Sequence, residues 1–193
     1  MSGRVHLPQI LRGGAAAVVL ALLSACAPGA NEPMLPQYTT NGYRLGSGDT
    51  IRVITFGEDQ LTGEFSVDDQ GKISLPLLGT VQAAGLTPEQ FGQKISSGLE
   101  GRHLLRDASV SVQVLAYRPI YVLGEVNKPG QYPFQPGMTM LTAVAVAGGF
   151  TYRSVEDYAS DVRTIDGTVT QGNVTPGSFL APGDVLKIYE RRF

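Results

Sequence analysis

GSGDTIRVITF at residues 46–56 and APGDVLKIYE at residues 181–190 share one pattern, a Gly-Asp turn that leads into a strand. Glycine supports the positive φ of a tight turn, and the aspartate can accept hydrogen bonds from the nearby backbone. Apolar residues then alternate, so that Ile51 and Val53 share one face of the first strand. The repeated pattern predicts two β-rich units, and hairpin chemistry alone could also produce it by chance.

The composition is typical of a turn-rich β protein rather than a helical bundle. Of the 193 residues, 24 are glycine and 12 are proline, and only 17% are charged. A chain of this length accommodates two small modules. The formal net charge is −2, and Arg191 and Arg192 form no larger basic cluster. The chain therefore lacks the phosphate-neutralising surface that a nucleic-acid partner requires.

Residues 1–25 are predicted to be a lipoprotein signal peptide. Two arginines precede the apolar run at residues 13–23, which has the length of a signal-peptide core and is too short to span a bilayer. The next residues, LSAC, end at Cys26 and match the bacterial lipobox. Cleavage after Ala25 would leave Cys26 acylated, and several acyl chains hold a protein firmly on a membrane.

The alternative is an ordinary secretory peptide that leaves Cys26 as a free thiol. Because this is the only cysteine of the sequence, it would then stay unpaired in an exported protein. Lipidation is therefore the favoured interpretation. Ala27 follows the cysteine where an aspartate would indicate inner-membrane retention, which favours the outer membrane. Residues 26–42 contain three prolines and are predicted to be a flexible tether.

The first half of the mature chain is predicted to contain several strands and one helix. DDQG at residues 68–71 has the composition of a hairpin turn and is predicted to pair the strands on either side. Thr87 and Gln90 form a capping box at the start of a helix predicted over residues 88–99. The predicted strands are residues 50–56, 64–68, 72–75 and 108–117.

The second half shows the order hairpin, short helix, strands, which resembles a β-grasp, a sheet curled around one helix. Pro129 and Gly130 fit the two central positions of a type II turn. A short helix is predicted at residues 140–147, with Gly148 and Gly149 as its left-handed cap. The predicted strands are residues 120–126, 131–134, 159–165 and 185–189.

Four segments, in this order, resemble the outer-membrane polysaccharide export family, the Wza-like exporters of capsule and exopolysaccharide. They are YRLGSGDTIRV, VDDQGKISLPLLGTVQAAGLTPEQ, VSVQVLAYRPIYVLGEVNKPGQY and MTMLTAVAVAGGF. The family's Gly-Pro-Gly-Asp corresponds to GSGD here, with serine in place of proline. The motif residues are Gly46, Gly48, Asp49, Pro76, Gly79, Gly124, Pro129, Gly130, Gly148 and Gly149.

The resemblance implies an α+β fold, with an N-terminal polysaccharide-export domain followed by a β-grasp (SLBB) domain and no C-terminal transmembrane helix. The predicted boundaries are residues 1–25 for the signal peptide, 26–42 for the tether, 43–117 for the export domain, 118–189 for the SLBB domain and 190–193 for a tail.

The resemblance also implies a lipid-anchored outer-membrane subunit with its body in the periplasm. Such subunits form homo-oligomeric rings that pass polysaccharide without catalysis, and they work with an inner-membrane polysaccharide copolymerase. Large members carry a second β-grasp module and a C-terminal helix that crosses the outer membrane, whereas this sequence stops at Phe193 after its last predicted strand. A separate outer-membrane pore or barrel is therefore expected as a partner, besides the outer-membrane lipid contacted through acylated Cys26.

Side chains suited to catalysis are scarce, and no catalytic residue, metal or cofactor is predicted. His103 is the only histidine beyond the predicted signal peptide. Asp68 and Asp69 could form a glycosidase pair, but turn chemistry is the favoured explanation for them. The tyrosines that could stack on sugars, none of them assigned to a site, are Tyr117, Tyr121, Tyr132, Tyr152 and Tyr158. A monomeric periplasmic glycan-binding or adaptor lipoprotein is the alternative function, and an enzyme acting on glycans is the least favoured.

Overall fold

The structure, a computed structural model, describes residues 28–39, 42–165 and 167–191. The predicted signal peptide and Cys26 lie outside the described residues. No helix in the described part of the chain is long and apolar enough to cross a membrane. The elements are β1 (Thr50–Thr55), β2 (Gly63–Ser66), β3 (Lys72–Leu75), β4 (Gly79–Gln82), α1 (Pro88–Gly101), β5 (Val110–Ala116), β6 (Ile120–Gly124), β7 (Gly130–Tyr132), α2 (Met140–Val146), β8 (Ala159–Ile165), β9 (Thr168–Val174) and β10 (Val185–Ile188).

The first unit is a three-stranded antiparallel sheet, in the order β2-β1-β5, with α1 and the β3–β4 hairpin packed around one core. Ile51 and Val53 are buried on the predicted face of β1. Because residues three and four apart lie on the same side of a helix, α1 buries Phe91, Ile95 and Leu99 together. Burial of each such side chain contributes roughly 1.5–3 kcal/mol to the stability of this unit.

The start of α1 is the predicted capping box. The Thr87 hydroxyl accepts the Gln90 N–H at 3.1 Å, and the Gln90 side-chain oxygen accepts the Thr87 N–H at 3.0 Å. Pro88 occupies the first helical position, where an N–H would have no intrahelical partner. The helix ends at Gly101, two residues beyond its predicted end.

The second unit is a five-stranded sheet in the order β7-β6-β10-β8-β9, curled around α2 as a β-grasp. β6 and β10 run parallel, and the other neighbours are antiparallel. Parallel neighbours need a long crossover, which the chain between β6 and β10 supplies. The largest fully buried side chains of this second core are Ile120, Val122, Met140, Val144, Leu180, Leu186 and Ile188.

Two glycines end α2 as the sequence predicts. Gly148 and Gly149 have φ of 83° and 87°, a region that residues with a Cβ rarely adopt. The Gly149 N–H donates to the Val144 carbonyl at 2.9 Å, and the Gly148 N–H donates to the Ala145 carbonyl at 3.0 Å. These two bonds form a Schellman motif, which satisfies carbonyls at the end of the helix.

The hairpin predicted at residues 68–71 is wrong in its strand pairing. The turn itself forms, because Asp68 Oδ1 accepts the N–H groups of Gln70 and Lys72 at 2.9 and 2.7 Å. However, β2 pairs with β1, and β3 pairs with β4. The sequence pattern does not predict β4, since only Val81 among its residues is partly buried. Because the sequence did not predict β4, β2 was the strand nearest to β3 that could be predicted as its partner.

The type II turn predicted at Pro129 and Gly130 is also wrong. Gly130 has no positive φ and already lies in β7. The chain leaves β6 at Gly124 instead, with a φ of 85°. It then runs to the cap of α2, where the Asn127 N–H donates to the Gly149 carbonyl at 3.0 Å. The hairpin therefore exists, but its connection is longer because it also packs against α2.

Residues 28–36, within the predicted flexible tether, lie on the second unit as an ordered segment that we call the N-terminal strap. The Leu35 N–H donates to the Asn173 carbonyl at 2.9 Å, and the Asn173 N–H donates to the Pro33 carbonyl at 2.8 Å. Leu35 is buried in the second core. This structure corrects the flexible-tether prediction for these residues. The strap bonds to β9, a strand that its polar residues and central glycine do not predict.

Candidate functional site: the junction between the two units

The two Gly-Asp turns fold in the same way. In the first, Asp49 Oδ2 accepts the Gly46 N–H at 2.8 Å, and the Asp49 N–H donates to the Gly46 carbonyl at 3.1 Å. In the second, Asp184 Oδ2 accepts the Ala181 N–H at 2.7 Å, and the Asp184 N–H donates to the Ala181 carbonyl at 3.2 Å. Both aspartates are buried, so each carboxylate satisfies backbone donors that water cannot reach.

Arg118, in the connection between the two units, contacts both turns. Its backbone N–H donates to Asp49 Oδ1 at 3.0 Å, and its Nη1 lies 3.4 Å from Asp49 Oδ2. On the other side, its Nε donates to the Pro182 carbonyl at 2.9 Å. Because a guanidinium presents several donors in one rigid plane, Arg118 holds the two turns in a defined arrangement.

Glycines in both turns make room for Arg118. A Cβ on Gly46 would collide with the guanidinium, and a Cβ on Gly48 would lie 3.6 Å from the Arg118 Cβ. In the second turn, Gly183 has a φ of 89°, and a Cβ there would lie 3.1 Å from the Arg118 Nε. The predicted motif residues Gly46, Gly48 and Asp49 therefore all meet at the junction.

Aromatic rings continue the contact between the two cores. The Tyr43 hydroxyl donates to Asp49 and accepts from the Arg118 Nη1 at 3.0 Å. Burial, and next this hydrogen bond to Asp49, raise the pKa of Tyr43, so its hydroxyl stays protonated at neutral pH. Tyr117 meets the Tyr43 ring edge-on with centroids 4.9 Å apart, and it meets Phe134 of the second core at 5.6 Å. Each such pair contributes about 0.5–1.5 kcal/mol.

A second arginine, Arg163 on β8, binds the aspartate of the second turn. Its Nε lies 3.1 and 3.0 Å from the two oxygens of Asp184, and its Nη2 donates to Asp184 Oδ2 at 2.7 Å. The same Nη2 donates to Asp161 Oδ2 at 3.0 Å. All three side chains are almost completely buried. One buried cation therefore faces two buried carboxyl groups.

Asp161 is the carboxyl group of this cluster whose negative charge Arg163 does not fully balance. Burial raises its pKa, repulsion from Asp184 raises it further, and Arg163 opposes both, which leaves the pKa at about 8. Its Oδ1 atom has no hydrogen-bond partner among the described residues. The neutral form of Asp161 is therefore favoured at neutral pH, with Arg163 and Asp184 forming the ion pair.

A cavity of about 640 Å³ lies beside the junction. Tyr38 and Tyr43 line it together with Arg44, Arg118 and Arg163. One guanidinium stacks on each tyrosine ring, Arg163 on Tyr38 at 5.6 Å and Arg118 on Tyr43 at 5.8 Å. The lining supplies hydrogen-bond donors suited to a hydroxyl-rich or anionic ligand.

The remaining motif residues serve turns and caps away from the junction. Pro76 and Gly79 flank the β3–β4 turn, Gly124 ends β6, Pro129 and Gly130 lead into β7, and Gly148 and Gly149 follow α2. Of the five candidate tyrosines, Tyr117 lies at the junction, and Tyr121, Tyr132, Tyr152 and Tyr158 do not gather with it. Cys26 lies outside the described residues.

Sequence reasoning missed Arg118, which joins the two turns, and the buried pair Arg163 and Asp161 beside the second turn. A single arginine in a loop or a strand has no local pattern that distinguishes it from a surface cation. The repeated Gly-Asp turn was the available signal, since a buried aspartate after a turn implies a nearby donor. Among the described residues, no group of three or more His, Cys, Asp or Glu side chains could hold a metal ion.

Comparison with known proteins identifies both units. Residues 37–115 match the family model described as polysaccharide biosynthesis/export protein, and residues 119–171 match the SLBB domain. The chain is 37% identical over 119 residues to the exopolysaccharide production protein ExoF of Rhizobium meliloti, covering 55% of this chain and 28% of that protein. It is 29% identical over 167 residues to the EPS I polysaccharide export outer membrane protein EpsA of Ralstonia nicotianae, covering 80% of this chain and 42% of that protein.

A third relative is the polysialic acid transport protein KpsD of Escherichia coli, 31% identical over 109 residues, covering 55% of this chain and 19% of that protein. The matches thus span less than half the length of these three relatives. The family and most of these names describe export and transport, in agreement with the prediction of a non-catalytic protein. The chain therefore contains an export domain of the polysaccharide biosynthesis/export family followed by an SLBB domain, in an α+β fold.

Proposed function

We propose that this chain is a lipid-anchored subunit of an exopolysaccharide or capsule export channel, with its body in the periplasm. In this proposal, copies assemble into a ring on the outer membrane, and the polymer passes through the ring without being chemically changed. The inner-membrane polysaccharide copolymerase delivers the polymer, and a separate outer-membrane pore or barrel completes the path.

The observation that carries this proposal is the junction built from residues of both domains. A closed ring requires every copy to present the same two surfaces in the same relative orientation. Arg118 bonds to Asp49 of the export domain and to Pro182 of the SLBB domain, so it restricts the angle between them. Such a restricted angle supports ring assembly, whereas a freely hinged pair of domains would form open or mixed chains.

The strand order also supports lateral association. β2 and β5 are the outer strands of the first sheet, and β7 is an outer strand of the second. Outer strands present backbone hydrogen-bonding groups that a neighbouring chain can pair with. Copies of one chain therefore have suitable surfaces for side-by-side contact on both domains.

Mass measurement of the acylated protein extracted in mild detergent tests the ring directly. We expect a discrete oligomer larger than a dimer. In cells, deletion of the protein should remove polymer from the surface while lipid-linked repeat units are still made. A purified monomer, or normal surface polymer in the deletion strain, would contradict the proposal.

Anchoring is tested separately by Cys26→Ser. Because stable anchoring requires more than one membrane-binding signal and the acyl chains on Cys26 would supply them, this variant with its signal peptide removed should leave the outer-membrane fraction and appear in the soluble periplasmic fraction. Cys26 is the only cysteine, so no other thiol can replace it. A variant that stays in the membrane fraction after its signal peptide has been removed would show that protein partners, rather than lipid, hold it there.

The cavity beside the junction favours a second candidate, a monomeric periplasmic glycan-binding or adaptor lipoprotein. Its lining by Tyr38, Tyr43 and Arg44 suits a soluble sugar. Calorimetric titration with fragments of the cell's own polymer, together with the mass measurement, separates the two candidates. Saturable binding to a monomer would favour the second.

A further inference from the structure

The N-terminal strap, residues 28–36, is attached to the SLBB domain along its whole length. The Asn173 side-chain N–H₂ donates to the Gly29 carbonyl at 2.7 Å and to the Glu32 carbonyl at 3.2 Å. The Glu32 carboxylate accepts from Ser160 at 3.0 Å and from Gln171 at 3.1 Å. These bonds add to the backbone bonds of Asn173 with residues 33 and 35 and make the strap part of the folded domain.

Two glycines are required for this close contact. A Cβ on Gly172 of β9 would lie 2.5 Å from the Pro33 carbonyl oxygen. A Cβ on Gly29 would enter the ring of Tyr189, and Gly29 also has a φ of 75°. The sequence therefore places glycine on both sides of the contact, once in the strap and once in the strand beneath it.

The strap has a defined direction on the domain. Its Pro36 carbonyl accepts from Arg163 at 3.4 Å, at the junction, and its Pro28 carbonyl accepts from the Tyr158 hydroxyl at 3.1 Å. Tyr158 contacts Tyr189, which follows the last residue of β10. Because β10 begins directly after the junction turn, Tyr189 lies at the opposite end of the SLBB domain. We call this opposite end the distal end.

Covalent geometry limits how far Cys26 can be from Pro28. One residue separates Cys26 from Pro28, and consecutive Cα atoms are 3.80 Å apart, so the two Cα atoms are at most about 8 Å apart. An acyl group on Cys26 would therefore be held at the distal end. This step rests on the anchoring proposed above.

We propose that the strap is a rigid mount and that the distal end is a surface in contact with the phospholipid headgroups of the membrane. Tyr152 belongs to this end, because Val155 near it bonds to the Tyr189 carbonyl at 2.9 Å. Tyr152 is 87% exposed, and tyrosine is enriched at membrane interfaces, where its ring and hydroxyl face different surroundings.

Charge does not drive this contact. Arg153 and Arg191 lie at the distal end with Glu156, Asp157 and Glu190, and Arg153 pairs with Glu190. The cations and anions of this end largely balance. The contact is instead imposed by the short distance from the anchor to the domain, and it should therefore vary little with salt.

The absence of tryptophan from the sequence gives a direct test. Tyr152→Trp and Phe56→Trp each introduce a single emitter at positions of matched exposure, 87% and 84%. Phe56 follows the last residue of β1, at the end of the export domain away from the junction. The mature chain is coupled through Cys26 to a maleimide phospholipid in phosphatidylcholine vesicles, with and without dibrominated phosphatidylcholine, which quenches tryptophan on contact.

We expect the brominated lipid to reduce the emission of Tyr152→Trp by more than half and to leave Phe56→Trp unchanged. A flexible insert of fifteen Gly and Ser residues before Pro28, with an average span of roughly 20 Å, should abolish the difference while the protein stays on the vesicles. Gly172→Val should act like the insert, because its side chain displaces the strap. Gly177→Val, where a Cβ meets nothing, is the matched control.

Equal quenching at both positions would overturn the proposal. No quenching of Tyr152→Trp would overturn it as well, and would agree with a distal end that is covered by a neighbouring copy of the chain. Quenching that survives the long insert would show that the surface binds lipid by itself, which overturns the role of the strap as a mount. If Gly172→Val does not fold, the insert variant carries the test. Coupling through maleimide needs no natural acylation, so failure here is distinct from failure of the anchoring proposal.

Discussion

Asp161 makes the stability of the SLBB domain depend on pH, and Asp161→Asn should remove that dependence. Burial and the neighbouring Asp184 raise the pKa of Asp161 from 3.8 in the unfolded chain to about 8 in the folded protein. The neutral carboxyl group accepts from the Arg163 Nη2 at 3.0 Å. Asparagine has the same shape as this neutral form and can accept the same hydrogen bond, but it cannot lose a proton.

The direction of this pH dependence follows from the number of protons that the folded and unfolded states bind. Between pH 4 and 8 the folded protein holds one proton on Asp161 that the unfolded chain has released, so the free energy of unfolding falls as the pH rises. The slope from this one group is about 1.4 kcal/mol per pH unit. Its contribution is fully present below the unfolded pKa and is lost as the pH rises through the folded pKa. Over three pH units, this amounts to a few kcal/mol.

Urea unfolding followed by far-ultraviolet circular dichroism at pH 5, 6, 7 and 8 measures this effect. The stability of Asp161→Asn relative to the unsubstituted protein should improve steadily from pH 5 to pH 8. Asp157→Asn, at an exposed site two residues before β8, is the control, and any change of its stability difference with pH should be far smaller than that of Asp161→Asn. If Asp161→Asn also differs from the unsubstituted protein by a constant amount at every pH, Asp161 is ionised throughout, and the reasoning is refuted.

Three further predictions, on the junction, on the connection between β6 and β7 and on the start of α1, are tested by the same urea assay. Arg118→Ala leaves Asp49 with its backbone donors and Tyr43 but without the guanidinium, so the free energy of unfolding should fall by about 1–3 kcal/mol, and an unchanged value would show that the junction is not held by this side chain. In Gly124→Ala the new Cβ would collide with the Ile188 carbonyl oxygen at a positive φ, so the free energy of unfolding should fall by at least about 1–2 kcal/mol. Gly130→Ala, in open space, should leave that free energy nearly unchanged. Equal losses in the two variants would support the turn predicted from the sequence. Thr87→Ala removes the N-cap of α1 and should cost about 1 kcal/mol, and Thr87→Ser should retain most of that stability.

The sequence correctly predicted the elements that are determined by residues close to one another in the chain. The capping box at Thr87 and Gln90 placed the start of α1 correctly, and the paired glycines after α2 placed its end. Alternating apolar residues located β1, because one face of that strand is buried in a single core. These features depend on residues within a few positions of one another, so distant parts of the chain have little influence on them.

The elements that sequence reasoning missed depend on distant partners. Two polar side chains of β9, Gln171 and Asn173, bond to the strap, and the strap in turn is ordered by its hydrogen bonds to β9 rather than by a regular element of its own. Each segment therefore looks irregular when it is considered without the other. The same holds for Gly130, whose neighbours in sequence fit a turn, while packing of the connection against the cap of α2 decides its conformation.

The repeated Gly-Asp turn reflects a shared position rather than a repeated domain. β1 is the central strand of an antiparallel sheet, whereas β10 lies between a parallel and an antiparallel neighbour. Both strands begin at the junction, directly after a turn in which the buried aspartate accepts the N–H of the residue three positions before it, Gly46 or Ala181. The partners differ in exposure: the Arg118 side chain is 30% exposed and the Arg163 side chain is 4% exposed. Arg163 and Asp184 both belong to the SLBB domain, so a movement between the domains would separate Arg118 from Asp49 and leave the buried pair intact. The separated Arg118 side chain is already partly exposed, so water can replace its contact with Asp49.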